Sequence, residues 1–120
     1  MSSKWTFRRT YGEAPETKGT RVLVDRMWPR GIKKEALDID EWAKDAAPTP
    51  ELRSWFHDDR EGRWSEFQSR YRAELDDNAD AADLAERLSH RPHVTLLTAA
   101  KDIEHSHVPV LAHWLQDNAQ

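Results

Sequence analysis

A chain of 120 residues is the size of one domain and can bury most of its apolar surface without disulfides or a structural metal. It contains no cysteine, which excludes disulfides, thiolate nucleophiles, iron–sulfur clusters and Cys-ligated zinc. The net charge is −4, but residues 1–34 carry +6 and the remainder −10. A cationic segment over residues 1–34 suits the binding of a phosphate-bearing or carboxylate ligand. The same charges would also suit a solvated surface without a specific role.

The composition predicts a folded protein that does not span a membrane. Six Trp residues supply large apolar surfaces that disordered chains lack. No window reaches the roughly 20 apolar residues of a membrane helix, and the amino terminus has no apolar core of signal-peptide length. We therefore expect a cytoplasmic protein with no membrane partner, folded as one domain over residues 1–120 with frayed ends at 1–4 and 117–120.

The first predicted elements are two strands and a turn. Residues 5–10 alternate between polar and apolar and favour a short strand, and residues 12–19 read as a loop. Residues 21–26 form the clearer strand, because their centre is the apolar run Val-Leu-Val expected of a strand covered on both faces. Residues 28–31, Trp-Pro-Arg-Gly, predict a turn.

Helical patterns fill the middle of the chain. We expect a short helix over residues 38–46, ended by Pro48. Thr49 is typical of an N-cap with Pro50 at the first helical position. A stripe at spacings of three and four then predicts an amphipathic helix, formed by Trp64, Phe67, Tyr71 and Leu75.

The last third predicts two helices around a strand. Asp80 is the expected N-cap of a helix that buries Leu84 and Leu88. Residues 93–98 predict a second buried strand, and a final helix begins near Ser106. Apolar strands that end in charged residues and lead towards helices favour an α/β fold, a small and mostly parallel sheet flanked by helices in a single compact domain.

Charged residues follow both clear strands, at the edge where parallel sheets place their ligands. We expect an ionic pair at each strand end, Asp25 with Arg26 and Lys101 with Asp102. A carboxylate beside a cation stays anionic and a nearby histidine titrates close to neutrality, so the set is suited to acid–base chemistry. The candidate catalytic residues are Asp25, Asp102 and His105. The candidate binding residues are Arg26, Trp28, Arg30, Lys101, Glu104 and His107.

Plainer interpretations exist for the same residues. Asp25 and Arg26 also suit a structural ion pair, and a histidine near a helix start is often an ordinary hydrogen-bonding group. A metal held by His105 and His107 with Asp102 or Glu104 rests only on a two-residue spacing, so we assign no metal. Walker and dinucleotide fingerprints are absent, and no cofactor is indicated. Core packing is favoured over pocket lining for Trp42.

Four blocks of the sequence resemble a known family. They are residues 21–31 (RVLVDRMWPRG), 52–56 (LRSWF), 64–75 with its aromatic stripe, and 95–107 (TLLTAAKDIEHSH). In this order they resemble the YeaO-like branch of the family catalogued as domain of unknown function 488, over roughly residues 5–116. The resemblance implies a compact bacterial or archaeal α/β protein.

That resemblance also shapes the expectation for the site. Broader members of the family carry an Asp-x-Arg element after an early strand and a Cys- or His-bearing segment near the end, and they are suspected of acting on nucleic acids or nucleotides. Here Asp25 and Arg26 lack the spacer residue. Because cysteine is missing, a thiolate mechanism does not carry over to this chain.

Three functional hypotheses follow, and the third, a structural or protein-interaction domain, rests only on the acidic helices. The leading one is an enzyme that cleaves a phosphorylated or nucleotide-like substrate by hydrolysis or at a glycosidic bond, with Asp25 and His105 as the acid–base pair. The second is a non-catalytic module that binds a nucleotide or a nucleic-acid end, although the net charge does not favour nucleic acid. No pattern in the chain indicates the oligomeric state, because spare aromatic residues suit a core and an interface equally.

Overall fold

Four parallel strands form one sheet. The structure, a computed structural model, describes residues 4–11 and 19–118. The strands are β1 (Lys4–Arg9), β2 (Thr20–Leu23), β3 (Glu41–Trp42) and β4 (His93–Thr98). Their spatial order is β1-β4-β2-β3, and each neighbouring pair is parallel. The predicted α/β class with a parallel sheet is confirmed.

Four helices accompany the sheet. They are α1 (Pro50–His57), α2 (Arg60–Asp76), α3 (Ala79–Ser89) and α4 (His107–Asp117). All four correspond to predicted helices. None of these helices, within the residues described, combines the length and the apolar character needed to cross a bilayer.

Side-chain caps define where the helices begin. The Thr49 hydroxyl accepts a hydrogen bond from the Leu52 amide, as the sequence predicts. The Ser106 hydroxyl caps α4 by accepting from the Val108 amide, and the helix begins next to Ser106 as expected. The predicted cap of α3 is wrong. Asn78 accepts the hydrogen bonds of two backbone amides there, so Asp80 lies inside the first turn instead of ahead of it.

The predicted helix over residues 38–46 is absent. Residues 34–36 and 44–46 form single 3-10 turns, and β3 lies between them. The amide of Asp40 donates to the carbonyl of Arg21, and the amide of Ala43 donates to the carbonyl of Leu23. These backbone groups pair with the edge of β2, so tertiary pairing overrides the local helical pattern.

Other boundaries differ slightly from the expected ones. β2 ends at Leu23, ahead of the predicted end at residue 26, although the Val24 amide still donates to the carbonyl of Leu97. The turn at residues 28–31 is confirmed, and Gly31 has a φ of 83° that suits glycine. Most of the predicted loop 12–19 lies outside the described residues, as do residues 1–3 and 119–120, while residues 4 and 117 belong to β1 and α4.

Both faces of the central strands are buried. Val22 and Leu96 pack into the larger core cluster with the helices, whereas Leu23 and Leu97 form a second cluster on which Trp28 and Trp42 pack. A strand covered on both faces needs apolar residues at consecutive positions. This explains the continuous apolar runs of β2 and β4 and places their carboxyl ends beside each other.

Candidate functional site

A cavity of about 580 Å³ lies at the carboxyl ends of β1, β2 and β4, where parallel sheets bind ligands. Among the described residues, its wall combines the loop after β2, the segment after β4 and one side of α1. The lining residues are Tyr11, Asp25, Arg26, Met27, Trp28, Pro29, Arg30, Ala47, Pro48, Arg53, Phe56, His57, Arg60, Phe67, Thr98, Ala99, Ala100, Lys101, Ser106 and His107.

Strand register brings Asp25 to the end of β4. Leu23 pairs with Leu97, so the chain two residues further on lies beside Ala99. The Thr98 hydroxyl donates to Asp25 Oδ1 at 2.7 Å, and the Ala99 amide donates to Asp25 Oδ2 at 2.7 Å. Asp25 therefore joins two strands that are more than 70 residues apart in the sequence.

His107, the first residue of α4, is the histidine beside Asp25. Its Nε2 lies 2.9 Å from the carbonyl oxygen of Val24 and 3.3 Å from Asp25 Oδ1. A carbonyl oxygen only accepts, so Nε2 carries the proton and Nδ1 is the unprotonated nitrogen of the neutral ring. Nδ1 has no hydrogen-bond partner in the part of the chain described here.

The environment keeps Asp25 ionised. Burial by itself would raise the pKa of Asp25, but the hydrogen bond and electrostatic interaction with His107, together with the donors Ala99 and Thr98, hold that pKa below the usual 3.8. The carboxylate is largely enclosed, with 16% of the side chain exposed. Its two oxygens are engaged by donors at the end of β4 and at the start of α4, an arrangement that joins these two elements to the chain that follows β2.

The expected ionic pair between Asp25 and Arg26 is not formed. Arg26 donates to the carbonyl oxygens of Pro48 at 3.3 Å and Ala47 at 3.1 Å, and so holds the segment that leads into α1. Trp28 lines the cavity and donates through Nε1 to the carbonyl of Ile32 at 2.6 Å.

Trp42 does not line the cavity. It packs against the smaller core cluster and donates to the carbonyl of Asp25 at 2.7 Å. This position agrees with the expectation that Trp42 packs in the core.

The rest of the predicted cluster divides between the cavity and the surface. Lys101 lines the cavity, but Asp102, Glu104 and His105 do not. Asp102 accepts from His105 Nδ1 at 2.9 Å on an exposed turn, and this hydrogen bond lowers the pKa of Asp102. The expected pairing of Asp25 with His105 is therefore replaced by two separate pairs, Asp25 with His107 and Asp102 with His105.

The two histidines at positions 105 and 107 have different neighbours. His105 packs edge-on against Trp64 at 5.6 Å between ring centroids, whereas His107 meets Tyr71 at 6.2 Å. Within the described ranges, no group of three or more His, Asp or Glu side chains is arranged to hold a metal ion.

The cavity wall is strongly cationic. Among the lining residues that the structure describes, five are Lys or Arg and one, Asp25, is acidic. Arg30, Arg53 and Lys101 are exposed, and their side chains make no ion pair or hydrogen bond with any described residue. Of the predicted binding residues, Arg26, Trp28, Arg30, Lys101 and His107 thus meet at one cavity.

Sequence reasoning missed the contribution of the helices to this wall. Arg53, His57 and Arg60 all line the cavity. Arg53 and His57 are four residues apart on one face of α1, and this spacing is the signal that could have found them. Arg60 begins α2, and no local pattern marks it. Tyr11 and Met27 were missed as well, and no local pattern marks either of them.

Comparison with known proteins identifies the family. A family model described as "Inactive DUF488-N3 subclade" matches residues 4–120. Uncharacterized protein Rv3073c of Mycobacterium tuberculosis (strain H37Rv) is 46% identical over 107 residues, which are 89% of each chain. Uncharacterized protein YeaO of Escherichia coli (strain K12) is 39% identical over 109 residues, 91% of this chain and 94% of that one.

No solved structure shows a significant match to this chain. The family match and these identities extend over nearly the whole sequence and agree with the four blocks of residues that carried the resemblance. The chain therefore belongs to the DUF488 family, in its YeaO-like branch.

Proposed function

We propose that this protein binds a phosphorylated small molecule in the cavity and does not transform it. The observation that carries the proposal is a set of cationic side chains that make no ion pair or hydrogen bond within the described residues, namely Arg30, Arg53 and Lys101. The one carboxylate that the described wall contains, Asp25, is already engaged. Exposed cations without partners in a concave site attract an anion, and their arrangement around a cavity favours a small ligand over a flat polyanionic surface.

A nucleotide or a nucleic-acid end fits this class of ligand. The phosphate supplies the charge that the cations lack, and Trp28 offers an aromatic side chain at the same cavity. The net charge of −4 disfavours binding along the length of a nucleic acid, where repulsion between the acidic body and successive phosphates would accumulate.

Absence of turnover is supported by the hydrogen bonding of Asp25 and by the description of the subclade as inactive. A carboxylate whose two oxygens each accept a 2.7 Å hydrogen bond, with a histidine beside it, is well placed to stabilise the junction of two strands and a helix. It is less available to exchange protons with a substrate.

The test is a thermal-shift titration of the wild-type chain with inorganic phosphate, sugar phosphates and nucleoside monophosphates. A ligand of the folded state raises the melting temperature, by the equivalent of about 2.7 kcal/mol at a concentration 100 times its Kd. We expect the shift to weaken at high salt and in Arg53→Gln and Lys101→Gln. Arg8→Gln is the matched control, since Arg8 is exposed on β1 and does not line the cavity.

Two results would contradict the proposal. If no phosphorylated compound shifts the melting temperature, the cavity is not an anion site. If the bound compound is converted, with inorganic phosphate or free base released, the protein is an enzyme.

The second candidate function is a hydrolytic or glycosidic enzyme of nucleotide metabolism. One observation favours this candidate. His107 lies at the cavity with Nε2 held by Asp25 and Val24 and with Nδ1 unpartnered within the described residues, as a general base would be held. In this reading His107 replaces His105 as the partner of Asp25. Product formed by wild type and lost in His107→Gln, but kept in His105→Gln, would establish it.

A further inference from the structure

Three basic side chains on one side of the cavity, two arginines and a histidine, have not been assigned a ligand group. Arg53 and His57 lie on α1, and Arg60 begins α2. All three line the cavity, and none forms a salt bridge with a carboxylate of the described residues. Asp58, which follows His57 in the sequence, instead lies 3.7 Å from the guanidinium of Arg63, and Asp59, which precedes Arg60, accepts a hydrogen bond from the Gly62 amide.

The electrostatics of His57 mark this group as a region of positive potential. Partial burial lowers the pKa of His57, and the charges of Arg53 and Arg60 lower it further against the smaller opposing effect of Asp58. Arg60 uses Nη2 to donate to the carbonyl of His105 at 3.2 Å and lies over the ring of Phe56, which orients its guanidinium. The Arg53 guanidinium donates to no described residue.

A phosphate monoester is the anion that suits this group. It carries between −1.5 and −2 charges at neutral pH and three acceptor oxygens, and guanidinium groups bind such oxygens in pairs. A carboxylate offers one charge and two oxygens, which would leave part of the group unneutralised. Donors from two turns of α1 and from the start of α2 can approach one phosphate from several directions.

A different part of the same cavity is apolar. Tyr11 and Met27 are the large hydrophobic residues that the described part of the chain leaves exposed, at 37% and 67%, and both line the cavity beside Trp28. Exposed apolar side chains gathered at a cavity indicate a ligand surface. The Tyr11 hydroxyl donates to the carbonyl of Arg30 at 3.0 Å, and Trp28 packs edge-on against Trp42 at 5.3 Å. Both rings are therefore held in place without a ligand.

We propose that the ligand is a phosphate monoester with a planar ring group, of the nucleoside monophosphate class. Its phosphate binds Arg53, His57 and Arg60, and its ring lies against Tyr11, Met27 and Trp28. This inference rests on the proposed function, since it assigns the two ends of the ligand that the cavity binds.

The experiment is isothermal titration of the full chain with four probes: inorganic phosphate, ribose 5-phosphate, adenosine monophosphate and adenosine. We expect the monophosphate to bind most tightly, the two smaller phosphates more weakly, and adenosine weakest. Arg53→Gln and Arg60→Gln should each weaken all three phosphates by roughly tenfold or more, as the loss of a charge-assisted hydrogen bond does. Arg8→Gln should change nothing.

The double variant Tyr11→Ser/Met27→Ser tests the ring end. It should reduce the affinity for adenosine monophosphate to that for ribose 5-phosphate and leave inorganic phosphate unchanged. Both side chains are exposed, so folding should survive, and circular dichroism with thermal melting verifies this.

The outcomes separate the two proposals. If the phosphates bind and lose affinity in Arg53→Gln but the monophosphate binds no tighter than ribose 5-phosphate, the ring assignment is overturned and anion binding stands. If binding depends on Arg30 and Lys101 but not on Arg53 or Arg60, the phosphate assignment is overturned. If no phosphorylated probe binds, the proposed function itself fails.

Discussion

At the scale of single residues, Asp25 is the point where three distant segments meet. It accepts from Thr98 and Ala99 at the end of β4 and lies beside His107 at the start of α4. A carboxylate can serve several donors at once because both of its oxygens only accept. An amide in the same position presents an NH2 group to one of those donors.

Asp25→Asn should therefore destabilise the fold. We expect the free energy of unfolding to fall by about 1–3 kcal/mol, since one buried donor loses its acceptor. Urea denaturation at neutral pH measures the change. The matched control is Asp83→Asn, because Asp83 is exposed on α3 and should tolerate the same loss of charge. Equal stability of the two variants would contradict the role given to Asp25.

The same residue predicts a pH dependence. The pKa of Asp25 is lower in the folded chain than its usual 3.8, so the unfolded chain binds the proton first. The contribution of this carboxylate to the free energy of unfolding is fully present above about pH 4. It is lost as the pH falls through the lowered pKa of Asp25. The stability difference between wild type and Asp25→Asn should shrink over that acidic range, in urea titrations at successive pH values. A stability difference that stays constant down to about pH 2 would contradict the predicted stabilisation by ionised Asp25.

At the scale of elements, the helix starts depend on single capping side chains. Asn78 accepts from the amides of Asp80 and Ala81 and donates through its side-chain nitrogen to the carbonyl of Asp45 at 2.7 Å. The cap therefore also attaches α3 to the 3-10 turn at residues 44–46. An aspartate two positions later was an equally plausible cap from the sequence, because both residue types are favoured there.

Asn78→Ala should destabilise the protein by about 1 kcal/mol or slightly more, the typical effect of losing a helix cap together with a loop contact. Asp80→Ala should have a smaller effect, because Asp80 contributes only its charge near the helix start. Thermal unfolding of the two variants compares them directly. A larger loss of stability in Asp80→Ala than in Asn78→Ala would indicate that Asp80 is the cap, as the sequence suggested.

At the scale of the whole molecule, the strand nearest the end of the chain completes the sheet. β4 lies between β1 and β2, so residues near the start are joined through residues 93–98. β1 and β3 are the edges of the described sheet. The cavity exists only once β4 has docked, since Thr98, Ala99 and Lys101 form part of its wall.

This topology predicts a gradient of local stability. The backbone amides of β4 should exchange with solvent most slowly, near the rate of global unfolding, and those of the two-residue strand β3 much faster. Native-state hydrogen exchange followed by NMR measures both. Exchange of β4 as fast as that of β3 would contradict the central position of β4.

Much of this protein was predictable from its sequence. The strands at residues 5–10 and 93–98, the cap Thr49, the start of α4 near Ser106 and the aromatic stripe of α2 depend on neighbours along the chain. Periodicity and capping chemistry therefore reveal them. The four blocks of residues also identified the family. The general location of the cavity followed from the rule for parallel strands.

Tertiary structure alone decided what lies together at the cavity. Residues 38–46 pair with β2 because an open strand edge offers their backbone groups better partners than an isolated short helix does. His107 reaches Asp25 while His105 is held by Asp102, since the α4 cap separates two histidines that are only two positions apart. Arg53, His57 and Arg60 join the wall through the packing of α1 and α2. Such contacts depend on strand register and helix packing between distant segments, which no local pattern encodes.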